Sequence, residues 1–378
     1  MQLSYWEKHT FFSHIDIGII GGGLIGMCTA LYLKLARPSL KIAIFERGTL
    51  PYGASTRNAG FACVGSLGEL LDDNTTEHED IIADRVRLRY EGLKKLRNLI
   101  GDQNMDYHHW GGYEIFTDTN IEDYHKCMSA IRKWNEIFYD ITGINETFTL
   151  DDKIADACGF RGVRHVIKNH AEGQLDTGML MHTLINRCHR EGILIFNGIT
   201  IDKWQVSMGK PSLQIGSSHI PCNKIIFCNN AFAKQMLPEL DIHPARAQVL
   251  VTSPIENLRV NGAFHFQQGY YYFRNIHGRI LIGGGRNLDR AGETTYTFGT
   301  SSMIMNSLHE LLAQIILPHI HYTIEQEWSG IMAMGSNKTP IIRKVASNVY
   351  AAVRMGGMGI AIGAMVADEV SKIVLNDM

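Results

Sequence analysis

A short β-branched run, Ile15 to Ile20, is cut off by Gly21-Gly22-Gly23, and Gly26 follows at the head of an apolar, helix-forming stretch. The run is of strand length and apolar throughout, as a fully buried strand is, and three consecutive glycines mark the tight turn that ends it. A second apolar run, Lys41 to Phe45, closes on Glu46, twenty residues beyond Gly26. Strand, glycine turn, helix and strand in that order predict a parallel βαβ unit.

The spacing Gly21-x-Gly23-x-x-Gly26 gives that unit a chemical purpose. Gly21 permits the turn, Gly23 lets the backbone approach a pyrophosphate, and Gly26 lets helix and strand pack closely, with Leu24 and Ile25 between them. Free N–H groups and the positive end of the helix dipole then face the phosphates. Glu46, with Arg47 beside it, stands where an acid accepts the hydroxyls of an adenosine ribose. The segment predicts a dinucleotide site.

FAD and NAD both use such a unit, and two later segments favour FAD. Gly53-Ala54-Ser55-Thr56-Arg57-Asn58-Ala59-Gly60-Phe61 follows the acid closely. Its small residues, with Arg57 and Asn58, suit a loop running along an extended dinucleotide. Near the end, Val349–Val353 leads into Arg354-Met355-Gly356-Gly357-Met358-Gly359 and a helix. No further strand or acid completes a second βαβ there, so the glycines read as a helix entrance pressed against a flat ring.

Together these stretches make the chain resemble the D-amino-acid oxidase (DAO) family, which includes glycine, sarcosine and D-amino-acid oxidases. The likeness extends through Gly111-Gly112-Tyr113-Glu114, Leu175-Asp176, Tyr270-Tyr271-Tyr272-Phe273-Arg274 and Trp328-Ser329-Gly330. It implies non-covalent FAD, held by Gly21, Gly23, Leu24, Ile25, Gly26, Glu46, Arg47, Ser55 to Gly60 and Gly356 to Gly359. It also implies oxidation of a C–N bond in a small amine or amino-acid-like substrate by hydride transfer to flavin N5, with oxygen or another acceptor taking the electrons. Three readings stand beside it: a 2-hydroxy-acid dehydrogenase of the same fold, an NAD-dependent dehydrogenase, and a flavin-binding protein without catalysis.

For the reaction end, the resemblance places Tyr270 at a substrate-contacting position. Tyr270 and Tyr272 are expected on one strand face, and Arg354 near the flavin or a substrate anion. Arg274 reads as a solvated turn residue. Relatives that oxidise amino acids often carry an arginine two residues after the glycine of Trp-x-Gly, and here Met332 takes that place. No metal site is expected, because the seven scattered cysteines form no ligand pairs.

The expected fold is α/β, or α+β overall: a Rossmann-like FAD-binding domain from 1–75, 156–245 and 325–378, interleaved with a substrate domain from 76–155 and 246–324. The Val-, Tyr- and Phe-rich strands between Ala247 and Leu281 predict a mostly antiparallel sheet in the second part. Lys+Arg 36 against Asp+Glu 38 leaves a net charge of −2, which supplies no basic field for nucleic acid. No apolar run approaches the roughly 20 residues of a membrane helix. Glu7, Lys8 and His9 interrupt the first residues, so no signal segment is expected and the cytoplasm is the expected location.

Overall fold

The computed structural model describes residues 3–378; residues 1 and 2, the start of the segment read for a signal, lie outside them. Two eight-stranded sheets carry the fold, with a two-stranded ribbon between Phe61–Ala62 and Gly173–Gln174. The first sheet runs Ile341–Ala346, Val349–Val353, Ser218–Phe227, Ile15–Ile20, Ile42–Phe45, Leu194–Phe196, with a hairpin of Lys203–Ser207 and Lys210–Ile215 added to Ser218–Phe227. From Val349–Val353 to Leu194–Phe196 every pairing is parallel. Parallel strands are covered on both faces, which accounts for their unbroken apolar sequences.

The fingerprint turn forms as its spacing requires. Gly21 has φ +108°, and a Cβ on Gly26 would lie 2.0 Å from the Gly21 carbonyl oxygen. The helix Leu24–Ala36 therefore starts directly against the strand it follows. It packs on the last helix, Gly359–Asn376, whose Ile360, Ile362, Val366 and Val370 are buried. Gly359 is its first residue, so the glycine run leads straight into the helix.

The second sheet is ordered Ile324–Met334, His243–Thr252, Arg279–Gly284, Tyr271–Ile276, Ala263–Phe266, Gly112–Thr117, Val163–Asn169, Phe148–Leu150. All its neighbours are antiparallel except Ala263–Phe266 beside Gly112–Thr117. Val163–Asn169 and Ile324–Met334 were expected within the cofactor-binding part, and they belong to this sheet instead. Val163–Asn169 pairs with Gly112–Thr117 as well as Phe148–Leu150, and Ile324–Met334 with His243–Thr252, and these distant partners are not revealed by local pattern.

The two faces of this sheet differ, as the two-residue alternation of strands demands. One face buries Phe264 stacked on Phe273 at 4.9 Å and on Tyr113 at 4.9 Å, with Phe160 edge-on to both phenylalanines. Each such pair contributes about 0.5–1.5 kcal/mol beyond burial. The helix Ser302–Leu311 adds Ile304, Met305 and Leu308 to this cluster. On the other face the register aligns Trp328, Val249, Gly283, Tyr272, His265 and Glu114 in one transverse row. No helix of the described residues is long and apolar enough to cross a membrane.

The long helix Glu79–Ile100 braces the last helix through Gly92, where an added Cβ would lie 2.2 Å from the Ala361 carbonyl oxygen. Gly92→Ala is expected to destabilise the protein by about 1–3 kcal/mol, the usual cost of overpacking. Urea unfolding of the two proteins measures it, and equal midpoints would contradict the close packing.

Candidate functional site

At the helix start, Leu24 N–H donates to Ser55 Oγ at 2.9 Å. The N–H groups of Gly23, Ile25 and Gly26 have no protein acceptor among the described residues. The first N–H groups of a helix lack intrahelical partners, and here they are grouped at the turn. Glu46 is buried at the end of its strand, its Oε2 accepting Gly22 N–H and its Oε1 accepting Gly48 N–H, each at 2.9 Å. A carboxylate has about four acceptor sites, so both oxygens retain capacity for ligand hydroxyls. Asn229, whose backbone abuts Gly21, keeps a buried Oδ1 without a partner. These features fit a pyrophosphate and an adenosine ribose. Arg47 turns elsewhere, its guanidinium 3.8 Å over the Phe232 ring.

The loop after the acid is fastened chiefly by the residues that sequence assigned to cofactor contact. Arg57 Nη1 donates to Ser329 O at 2.9 Å, and Trp328 Nε1 returns a bond to Arg57 O at 3.0 Å. The guanidinium also lies over Tyr52 and Phe298. Asn58 donates to Ala54 O and Ser55 O, while its Oδ1 accepts Gly60 N–H and the Thr177 hydroxyl. Thr56 Oγ1 donates to Pro51 O. Ala59 packs with Val249 and Leu281 of the second sheet.

Gly60 is locked by Arg274. That side chain is buried within its strand, and its Nη1 donates to Gly60 O at 3.1 Å and Leu175 O at 2.9 Å. Burial draws its pKa down to about 10. The reading of Arg274 as a solvated turn residue is therefore wrong: it stands in mid-strand, bonded to the loop that ends at Gly60, and His277–Gly278 makes the turn only afterwards.

The late glycine loop comes from the opposite side. Gly356 and Gly357 have φ of +58° and +85°. Gly357, Gly359, Ile360 and Ala361 have N–H groups without a protein acceptor among the described residues. The face of Ile324–Met334 joins the loops, since Gly330 lies against Arg57 and the Met332 sulfur against Gly357. Phe61, Tyr272, Trp328 and Met332 are half-buried and Gly357 is exposed, which leaves an open wall where the loops meet.

Arg354 does not reach that wall. Its φ is +65°, and its guanidinium is spent on Asp241 Oδ2 at 2.6 Å, Asp241 O, Thr339 O and Asn337 Oδ1. The expected flavin or substrate contact gives way to an ion pair that holds the loop. Tyr270 and Tyr272 also part company. Tyr270 precedes the strand, its hydroxyl bonded by Arg290 at 2.6 Å, and packs with the helix-covered face. Tyr272 faces the wall, edge-on to Phe61, with burial pushing its pKa up to about 12.

The sequence reading missed a buried group at the edge of this wall. Cys63 Sγ lies 3.5 Å from His265 Nε2, which is 3.2 Å from Glu172 Oε2. Val64 and Gly65 N–H both donate to Glu172 Oε1. The three residues come from segments about a hundred residues apart, so no spacing signals them.

A family model described as FAD dependent oxidoreductase, DAO, matches residues 16–373. The chain belongs to this family. It is an enzyme, and FAD is its cofactor. Among curated relatives, the glycine oxidase of Geobacillus kaustophilus is 22% identical, over 86% of this chain and 83% of its own. The solved structure of glycine oxidase from Bacillus cereus superposes with a TM-score of 0.77 at 15% identity, covering 96% of this chain and 98% of that one. L-proline dehydrogenase from P. horikoshii gives 0.75 at 16% identity, covering 96% and 93%. At these identities the structures show a shared fold.

If Glu46 accepts the ribose hydroxyls, Glu46→Ala removes that acceptor, and it leaves Gly22 and Gly48 N–H unpaired. With a charged hydrogen bond contributing about 1.5–3 kcal/mol, FAD affinity should fall by roughly 10- to 100-fold. Titration of the apoprotein by flavin fluorescence measures this, and unchanged affinity would remove Glu46 from the ribose. Arg354→Met should lower stability in urea by about 1–3 kcal/mol while leaving the rate of flavin reduction in the folded protein within a few-fold. A large rate loss at unchanged stability would restore Arg354 to the site.

Proposed function

We propose that the protein oxidises a C–N bond of a small amine or amino-acid-like substrate at non-covalently bound FAD. The observation that carries this reading is the meeting of the two loops across Ile324–Met334, beside a wall formed by Phe61, Tyr272, Trp328 and Met332. Bound FAD supplies a hydride acceptor at its N5 atom. The N–H groups of Gly357, Gly359, Ile360 and Ala361, at the positive end of the last helix, would stabilise negative charge on the bound ring. The glycine oxidase name of a curated relative spanning most of the chain supports the choice of a C–N bond.

Met332 narrows the substrate. With a thioether at this position and Arg354 engaged by Asp241, the wall lacks a guanidinium free to clamp a carboxylate. This favours an amine, or an amino acid held through its other groups. Cys63 is buried and its thiol pKa is pushed well above 9, first by burial and then by Glu172. It stays a neutral thiol, which supports a cofactor held without a covalent link.

The purified protein should show a flavin spectrum, with FAD released intact by denaturation. Under anaerobic conditions the flavin should bleach with a member of a panel containing primary and secondary amines, glycine, sarcosine and L-proline. Bleaching by 2-hydroxy acids alone would replace C–N oxidation by C–O oxidation. Flavin that remains with the denatured chain would refute non-covalent binding.

A further inference from the structure

An amine in neutral water carries a proton, and hydride cannot leave the carbon beside a fully protonated nitrogen. An enzyme that oxidises amines therefore needs a proton acceptor near the reacting carbon. The face of the second sheet that turns towards the two loops offers few. Tyr272 remains a neutral phenol, Arg274 is already a donor to two carbonyls, and Trp328 has no basic atom. Glu114 lies beyond His265 on the next strand, where its Oε2 accepts Gly68 N–H at 2.8 Å. His265 remains, directly paired with Tyr272 and edge-on to Phe61 at 5.5 Å between rings.

The surroundings of His265 are those of an oriented base. Glu172 is fixed by two backbone N–H groups through one oxygen and meets His265 Nε2 with the other. A carboxylate only accepts, so Nε2 carries hydrogen, and Nδ1 becomes the basic nitrogen. Nδ1 has no hydrogen-bond partner among those the structure shows. We propose that His265, oriented by Glu172, takes the proton from a protonated amine bound against Phe61 and Tyr272. The proposal rests on the amine-oxidation reading above. In the step, one N–H bond of the ammonium breaks and one N–H bond forms at Nδ1. This leaves a neutral amine and an imidazolium, and the C–H electron pair then leaves with its hydrogen to bound FAD.

The charges around the imidazole act in the same sense. Burial pulls its pKa down, but the Glu172 hydrogen bond and the charges of Glu172, Glu114 and Glu69 outweigh burial, and the net shift is upward from 6.5. Arg89 and Lys338 pair with Glu69 from the adjoining helix and loop, and Cys63 faces Nε2 as a neutral thiol. A base raised in this way is protonated and inactive at low pH. Flavin reduction in the wild type should therefore rise with pH through a pKa above 6.5.

The test uses FAD-loaded protein and two readouts. In ¹⁵N-histidine NMR, His265 should be the Nε2–H tautomer, and Glu172→Gln should lower its pKa. An Nδ1–H tautomer, an unchanged pKa in Glu172→Gln, or a stoichiometric metal ion on Cys63, Glu172 and His265 would overturn the proposal. In anaerobic stopped flow with the amine that bleaches wild type fastest, His265→Gln at unchanged FAD content should slow reduction by about 10²–10⁴-fold at pH 7.5. The loss should shrink as pH approaches the amine's own pKa. An His265→Gln protein reduced at the wild-type rate at every pH would refute the dyad alone. If no amine bleaches the wild type, the amine-oxidation reading fails and the proposal falls with it, while the NMR result shows separately whether the dyad exists.

Discussion

The approach of Gly26 to the Gly21 carbonyl oxygen is the constraint on which the cofactor end depends. A side chain on Gly26 would push helix Leu24–Ala36 away from strand Ile15–Ile20, and one on Gly21 would strike the backbone of Cys228 and Asn229. The unpaired N–H donors of Gly23, Ile25 and Gly26 would then separate, and Glu46 would lose its place opposite Gly22. Close backbone packing thus does electrostatic work, because it concentrates partial positive charge where a diphosphate can lie.

The wall beside the two loops depends on a different device. Two segments distant in sequence, 54–60 and 354–359, are brought together by one strand of the second sheet. Reciprocal bonds between Arg57 and the Trp328–Ser329 pair hold one loop to it, and Met332 meets Gly357 of the other. Arg274 adds a third tie, with a buried guanidinium bonded to carbonyls of both Gly60 and Leu175. The polar side chains near the cofactor are thus mostly structural, and the open wall is left to aromatic and thioether groups with His265 at its edge.

What could be read without coordinates divides along physical lines. The βαβ unit, its glycines and Glu46 were legible because every requirement there is local: strand period, turn, helix start and acid lie within about thirty residues. The cap of helix Thr177–Arg190 is equally local, the Asp176 side chain accepting Met179 N–H. Residue type was a poorer guide to role. Arg57, Asn58, Thr56 and Arg354 are polar residues inside cofactor motifs, yet their hydrogen bonds are spent on the protein's own backbone and side chains. The partners that decide this, Ser329, Thr177 and Asp241, are remote in sequence. Cys63, Glu172 and His265 were invisible because only sheet pairing brings them together, and Tyr270 was misplaced because alternation was counted from a residue that lies in the turn before the strand.

The parallel sheet has a consequence for how the molecule is made. Strand Ile15–Ile20 pairs with Ser218–Phe227, that strand pairs with Val349–Val353, and helix Leu24–Ala36 is covered by Gly359–Asn376. In a growing chain the glycine turn of residues 21–26 is therefore made long before the glycine loop of residues 356–359 and the helix that covers Leu24–Ala36. Non-local pairing of this kind is slow to form and leaves apolar surface exposed meanwhile. Helix Leu24–Ala36 therefore keeps an apolar face uncovered until Gly359–Asn376 has been made.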